Sequence, residues 1–164
     1  MSLQEITNEV ANFGVARVTV TGGEPLAQPN VHPLMRALCD AGNNVSLETS
    51  GALDISGVDD RVVRVVDLKT PDSQECDRNM WENIAHLSAQ DQIKFVLCSR
   101  ADYEWAKAKC VEYNLVSTVS DVLFSPSFSE LAPTDLANWI VEDRLQVRMQ
   151  MQLHKQLWGD VPGK

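Results

Sequence analysis

Polar residues suited to binding a charged ligand follow the first β-branched segment of the chain. Residues 15–21 are rich in valine and threonine, and Gly22, Gly23, Glu24 and Pro25 come directly after them. The glycines allow a sharp turn and a close approach of the backbone to a ligand, and the proline stiffens the exit. Backbone carbonyls beside the Glu24 carboxylate suit an ammonium group. A plain turn between a strand and a helix explains the same residues.

Later β-branched segments also end in polar residues. Glu48, Thr49 and Ser50 close the second segment, Lys69 follows the third, and Ser125 follows the fifth. Helical patterns separate these segments, and strands that alternate with helices form a parallel sheet. The carboxyl ends of parallel strands meet at one edge of the sheet. We therefore expect these side chains to surround one cavity mouth.

The pattern of apolar residues predicts an α/β fold. Ser2 and Glu5 form the S-x-x-E pattern of a helix start, and Gly14 ends that first helix. Periodicity alone leaves open whether the sheet closes as a barrel or stays open with helices on both faces. The predicted strands cover residues 15–21, 44–49, 62–68, 93–98, 122–124 and 147–153, and the later helices cover residues 32–41, 80–87, 101–113 and 133–144.

Composition and charge limit the classes of partner. The chain has 164 residues, of which 44% are hydrophobic, and this predicts one domain over residues 1–164. A net charge of -9 argues against a nucleic-acid partner, because phosphate recognition needs a cationic surface. No apolar run is long enough to cross a membrane, and no basic leader precedes one. We therefore expect a soluble, cytoplasmic protein without a membrane partner.

The four cysteines do not form a metal-binding pattern. Cys39, Cys76, Cys98 and Cys110 contain no C-x-x-C pair, and no histidine lies at ligand spacing from them. Buried thiols act as small apolar side chains, so we expect these residues to be structural. The sequence predicts no metal ligand in this chain.

Five short motifs occur in an order that resembles a known enzyme family. A strand followed by Gly-Gly-Glu-Pro is similar to the motif that binds the amino group of S-adenosylmethionine in the radical S-adenosylmethionine superfamily. Together the motifs resemble 7-carboxy-7-deazaguanine synthase, and the similarity covers nearly the whole chain. The motifs are Val-Thr-Gly-Gly-Glu-Pro-Leu at 20–26, Glu-Thr-Ser-Gly at 48–51, Asp-Leu-Lys-Thr-Pro at 67–71, Ile-Lys-Phe-Val at 93–96 and Gln-Leu-His-Lys-Gln-Leu-Trp-Gly at 152–159.

The resemblance implies a fold, a reaction and a set of partners. The implied fold is a partial TIM-like β/α barrel of about six mostly parallel strands, with this chain as its C-terminal three quarters. The implied enzyme is a carbon–nitrogen lyase that converts 6-carboxy-5,6,7,8-tetrahydropterin to 7-carboxy-7-deazaguanine in queuosine biosynthesis. The implied cofactors are S-adenosyl-L-methionine, a [4Fe-4S] cluster and Mg²⁺. The implied partners are the pterin, a flavodoxin-like reductant and a second copy in a homodimer.

The same resemblance assigns roles to the residues at the predicted mouth. Lys69 would neutralise the cofactor carboxylate, and Ser125 would face its adenine. Glu48 would accept paired hydrogen bonds from the amino and ring N–H groups of the pterin. Solvated charges, turn-forming hydroxyls and a structural histidine are the alternatives. The full assignment is Gly22, Gly23, Glu24, Ser50, Lys69 and Ser125 for S-adenosylmethionine, and Glu48, Thr49 and His154 for the substrate.

The chain departs from the family pattern before Gly22. The three-cysteine loop that binds the cluster is absent there, because the first cysteine is Cys39. We therefore expect an N-terminally truncated chain that is inactive alone, with an unpaired sheet edge that favours a dimer or aggregation. A glycyl-radical-enzyme activase and a noncatalytic binding module of the same fold are the alternative functions.

Overall fold

Six parallel strands form one open sheet, and their order across the sheet is their order along the chain. The computed structural model describes residues 1–159 and residue 161. The predicted α/β fold with a parallel sheet is confirmed, and an open parallel sheet is the form that a partial barrel takes. The strands are β1 (Arg17–Val20), β2 (Asn44–Thr49), β3 (Val63–Asp67), β4 (Gln92–Leu97), β5 (Asp121–Pro126) and β6 (Arg148–Met149).

Helices connect the strands, and local sequence signals explain where several of them begin. The first helix has the predicted capping box between Ser2 and Glu5, and it ends at Gly14, whose φ is 66°. Pro133 occupies the first turn of the fifth helix, where its missing N–H costs nothing. The helices in the described residues are α1 (Leu3–Phe13), α2 (Val31–Asp40), α3 (Arg100–Glu112), α4 (Leu115–Thr118), α5 (Pro133–Glu142) and α6 (Leu153–Trp158).

One face of the sheet carries the hydrophobic core. Along β2, β3 and β4, buried residues alternate with partly exposed ones, and the buried set packs against α2, α3 and α5. Moving each large apolar side chain out of water stabilises the fold by about 1.5–3 kcal/mol. Among the largest buried side chains are Met35, Leu38, Leu47, Phe95, Tyr103 and Phe124.

The opposite face carries polar and charged residues among valines such as Val65. Strands of parallel sheets are usually apolar on both faces, so this alternation is informative. Register places Glu48 beside Val65 and places Asp67 beside Lys94. The charged side chains therefore lie together near the carboxyl edge of the sheet, on the face away from the core.

Three segments differ from the sequence predictions. The strand predicted over 15–21 is shorter, and none of its residues is buried because β1 lies at the edge of the sheet. The helix predicted over 80–87 is a 3₁₀ helix, Trp81–His86. The strand predicted over 147–153 was wrong beyond Met149. The helix α6 begins at Leu153, and the spacing of four residues between Leu153 and Leu157 is helical.

Of the four cysteines that were predicted to be buried structural residues, Cys110 is buried, while Cys39, Cys76 and Cys98 are partly exposed. All four thiols are free, and burial raises the pKa of Cys110 to about 12. Within residues 1–159 and 161, no group of three His, Cys, Asp or Glu side chains is placed to hold a metal ion. None of the helices in this part of the chain has the length and apolar character that crossing a membrane requires.

Candidate functional site

The carboxylate of Glu24 fastens the loop after β1 to the end of β2. Oε1 accepts hydrogen bonds from the Leu26 amide at 3.1 Å and the Thr49 hydroxyl at 2.9 Å. Oε2 accepts hydrogen bonds from the Ser50 amide at 2.8 Å and the Ser50 hydroxyl at 2.5 Å. Four donors from the chain itself therefore occupy this carboxylate.

These contacts also set the charge of Glu24. Burial raises the pKa of the carboxyl group, but the hydrogen bonds from Ser50, Leu26 and Thr49 together outweigh it, so the pKa lies below its ordinary value. The group is ionised at neutral pH and places a fixed negative charge beneath the glycine loop.

Gly22 and Gly23 adopt backbone conformations that favour glycine. Their φ angles are 104° and 55°, in the region that other L residues rarely adopt. A Cβ atom at either position would have no other heavy atom within 4 Å. The conformation, and not crowding, therefore explains the glycines, and the space around their backbone is open to a ligand.

A cleft of about 190 Å³ lies between this loop and the ends of β2 and β3. It is small and mostly polar, and charged side chains form its far wall. Its lining residues are Thr21, Gly22, Gly23, Glu48, Thr49, Ser50, Val65, Asp67, Lys69 and Lys94.

The far wall holds two lysines and two carboxylates. Lys69 Nζ donates to Asp67 Oδ2 at 3.0 Å. Lys94 Nζ lies 3.8 Å from the same oxygen and 3.9 Å from Glu48 Oε2. Asp67 Oδ1 is buried and has no hydrogen-bond partner among the described residues. Opposite charges thus alternate along the wall, and some of their bonding capacity is unused.

Buried polar side chains fix the loops next to this wall. Asn79 accepts from the Lys69 amide and donates to the Lys69 carbonyl, both at 2.8 Å. Asp102 accepts from the Thr70 hydroxyl at 2.9 Å and the Cys98 amide at 3.0 Å. The loops after β3 and β4 are therefore fixed by bonds that do not use any group facing the cleft.

A second cleft of about 330 Å³ adjoins the first. Glu48 and Lys94 line both clefts, so the two spaces meet at these side chains. Ser125 is a buried residue of β5 whose side chain faces the second cleft. The other lining residues are Gln150, Met151, Gln152 and Leu153, which lead from β6 into α6.

The structure brings most of the sequence-predicted residues together. Glu24 braces the first cleft, and Ser125 lines the second. His154 belongs to α6, and its side chain lies outside the described part of the structure. The residues that line the first cleft together are Gly22, Gly23, Glu48, Thr49, Ser50 and Lys69.

Two charged residues of the site were missed by the sequence reasoning. Asp67 and Lys94 belong to the motifs at 67–71 and 93–96, but no role was assigned to them. Along β3 and β4, buried residues alternate with partly exposed ones, and Asp67 and Lys94 occupy partly exposed positions. This period of two was the available signal, since it places both residues on the same face as Glu48.

Comparison with known sequences gives a consistent result. No protein-family model matches the chain. The chain is 40% identical to 7-carboxy-7-deazaguanine synthase of Chlorobaculum tepidum over 162 residues, covering 97% of this chain and 73% of that protein. It is 41% identical to the synthase of Koribacter versatilis over 172 residues, with 96% and 76% covered. For the synthase of Clostridium acetobutylicum the identity is 31% over 164 residues, with 97% and 74% covered.

Known structures share the fold at low sequence identity. QueE from Escherichia coli superimposes with a TM-score of 0.66 at 19% identity, covering 93% of this chain and 64% of QueE. Streptococcus suis SuiB bound to S-adenosylmethionine superimposes with a TM-score of 0.61 at 13% identity, covering 93% of this chain and 42% of SuiB. At these identities the likeness shows the fold alone.

Proposed function

Because this chain belongs to the 7-carboxy-7-deazaguanine synthase family, we propose that it binds S-adenosylmethionine and a 6-carboxytetrahydropterin at the joined clefts, as the part of the synthase that holds both ligands while 7-carboxy-7-deazaguanine forms, and that it is inactive alone. The main support for this proposal is that the glycine loop, Glu48 and Lys69 all line the same cleft. The curated relatives favour this function over activation of a glycyl-radical enzyme and over a noncatalytic binding module.

The cofactor side of the mouth is the glycine loop with Ser50, Lys69 and Ser125. The backbone carbonyls of Gly22 and Gly23 would accept from the ammonium of S-adenosylmethionine, and the charge of Glu24 would stabilise that ammonium from beneath. Since four donors occupy the Glu24 carboxylate, Glu24 acts as a positioning residue. Lys69 would meet the cofactor carboxylate as a point charge.

The substrate side is the carboxylate of Glu48. Its side chain is 47% exposed, and it forms no hydrogen bond with the described residues, so both oxygens can accept N–H groups from a ligand. Thr49 is different, because its hydroxyl donates to Glu24 at 2.9 Å and accepts from the Gly51 amide at 3.3 Å. We therefore propose that Thr49 positions the wall, and that His154 serves the substrate from α6.

The iron–sulfur cluster of the family does not fit the described residues. A cluster needs thiolates brought to one point, and Cys39, Cys76, Cys98 and Cys110 give no such group in the described part of the chain. We assign no cluster ligand and no step through the cluster to these residues. S-adenosylmethionine that is cleaved by a one-electron reductant would supply the hydrogen-abstracting chemistry, and the residues of the joined clefts would orient it against the pterin. A magnesium ion, a flavodoxin-like reductant, a homodimer and a cytoplasmic location belong to the same proposal.

Binding to the purified chain tests the proposal. Isothermal titration with S-adenosylmethionine and with pterin-6-carboxylate should each show one site. Gly23→Val should weaken S-adenosylmethionine binding by about tenfold or more, because the loop must leave its left-handed conformation. Gly42→Val is the matched control, since Gly42 also has a positive φ of 87° and open space around it but lies before β2.

Each result decides the question. Equal losses of affinity in the two glycine variants, or no binding of S-adenosylmethionine to the wild-type chain, would overturn the assignment of the cofactor side. Binding of S-adenosylmethionine without any binding of the pterin would favour the activase alternative.

A further inference from the structure

Glu48 and Lys94 are the only residues that line both clefts of the described structure. Glu48 is the penultimate residue of β2 and Lys94 lies within β4, and their side chains approach each other over Val65 of β3. Lys94 Nζ is 3.9 Å from Glu48 Oε2. A ligand that fills the mouth must therefore meet both groups.

The ammonium of Lys94 is partly buried but has no hydrogen-bond acceptor among the described residues. Its side chain is 20% exposed, and its contacts with Glu48 at 3.9 Å and Asp67 at 3.8 Å are too long for hydrogen bonds. The N–H groups of Lys94 therefore stay unused within the described structure. Burying a charge without hydrogen bonds costs free energy, so this arrangement points to an acceptor supplied by a ligand.

We infer that Lys94 donates to the 4-oxo oxygen of the 2-amino-4-oxopyrimidine ring, beside the amino and ring N–H groups that the proposed function assigns to Glu48. The inference rests on the proposed function, because it takes the pterin as the ligand. Along this edge of the ring the amino group and the ring N–H are donors and the adjacent oxygen is an acceptor. A carboxylate can only accept these two donors, and an ammonium can only donate to the oxygen. Val65 provides an apolar floor between them.

The arrangement predicts discrimination against a 4-amino ring. In a 2,4-diaminopteridine the oxygen is replaced by a second amino group, which would place a donor against the Lys94 ammonium. The ring also loses the N–H that Glu48 accepts. A site built to hydrogen-bond a group rejects an analogue that leaves its polar atoms unpaired.

The test compares pterin-6-carboxylate with 2,4-diaminopteridine-6-carboxylate, using quenching of ligand fluorescence to measure both dissociation constants. Wild-type protein should prefer the 4-oxo compound by about 100-fold. Lys94→Met should reduce this preference by about tenfold, and Lys94→Arg should retain it because the guanidinium still donates. Lys107→Met is the control, since Lys107 lies on α3 and pairs with Asp143, and it should leave the preference unchanged.

A second pair of ligands separates recognition of the oxygen from recognition of the 6-carboxylate. If Lys94→Met removes the advantage of pterin-6-carboxylate over unsubstituted pterin, the lysine binds the carboxylate and the inference is wrong. A 4-oxo preference that stays within twofold of wild type in a folded Lys94→Met protein also overturns it, while the proposed function survives. Failure of wild-type protein to bind pterin-6-carboxylate overturns both.

Discussion

Two lysines with nearly equal exposure, one on each side of the sheet, have opposite surroundings. Lys109 on the helix side is 21% exposed, and its ammonium donates to Glu112 at 2.7 Å. It also lies 5.0–5.7 Å from the ring centres of Trp81, Trp105 and Tyr113. Lys94 on the charged face is 20% exposed and makes only long contacts with carboxylates.

The contrast distinguishes charged groups that form hydrogen bonds within the chain from charged groups whose hydrogen-bonding capacity is unused in the described structure. On the helix side, the partners of Lys109 come from the chain, and Asp102 likewise accepts three hydrogen bonds from it. At the mouth, Lys94, Glu48 and one oxygen of Asp67 lack such partners in the described structure. Exposure alone would not distinguish these groups, whereas counting their hydrogen bonds does.

The largest expected effect is on the helix side, at Asp102. Asp102→Ala should lower the free energy of unfolding by about 3 kcal/mol, because it leaves the amides of Asp72 and Cys98 without their acceptor inside the protein and removes one of the two acceptors of the Thr70 hydroxyl. Urea unfolding followed by circular dichroism measures the change. Asp135→Ala, at an exposed site of α5, is the control. A loss below about 1 kcal/mol would show that the buried bonds contribute little.

The next effect is on binding, at Lys94. Lys94→Met should weaken pterin-6-carboxylate by about tenfold, which corresponds to about 1.4 kcal/mol, because a donor to the ligand is lost. Its unfolding free energy should stay within about 0.5 kcal/mol of wild type, since no hydrogen bond within the described chain is removed. Titration and urea unfolding of the same preparation compare the two quantities. If Lys94→Met lowers the free energy of unfolding by more than it weakens the free energy of pterin binding, the proposed distinction between Lys94 and Lys109 is wrong.

Lys109 should show the reverse behaviour at a smaller scale. Lys109→Met should lower the free energy of unfolding by about 1 kcal/mol, because contacts with three aromatic rings are lost along with the pair to Glu112. Binding of the pterin should not change. Thermal unfolding and fluorescence titration measure the two effects, and weaker pterin binding in this variant would contradict the separation of the two sides.

The smallest expected effect is a change in pH dependence at Glu24. Its folded-state pKa is lowered, so the carboxylate contributes stability that is present above the unfolded pKa and is lost as pH falls through the folded pKa. Glu24→Gln should therefore lose less stability than wild type between about pH 7 and about pH 3. Unfolding free energies across this interval test the sign. Parallel curves for the two proteins would assign the acid sensitivity to other carboxylates.

The sequence was sufficient for elements whose signals are local. β2 occupies the predicted residues 44–49, and the capping box of Ser2 defines the start of α1. The parallel sheet followed from the alternation of strands with helices, and the partial barrel followed from the family resemblance. These features depend on residues close together in the chain.

The parts that the sequence did not predict depend on contacts between distant residues. Glu24 was interpreted as a ligand-binding group, yet its carboxylate is bonded to Thr49 and Ser50 at the end of the next strand. The importance of Lys94 depends on the register of β3 and β4, which no spacing within the motif at 93–96 reveals. The short strand β6 pairs with β5 at only two positions. Its length therefore depends on contacts with β5, which the local sequence does not reveal.

The consecutive strand order has a consequence for how the protein is made. Every strand pairs with the strands nearest to it in sequence, so each new helix and strand can dock on a surface that already exists. Each parallel pair still joins residues that are separated by a whole crossover, so loop-closure entropy is lost before the strands pair, and such pairing is slow. Among the described elements, β6 and α6 are the last in this series, and they complete the wall that contains Gln150 and Leu153.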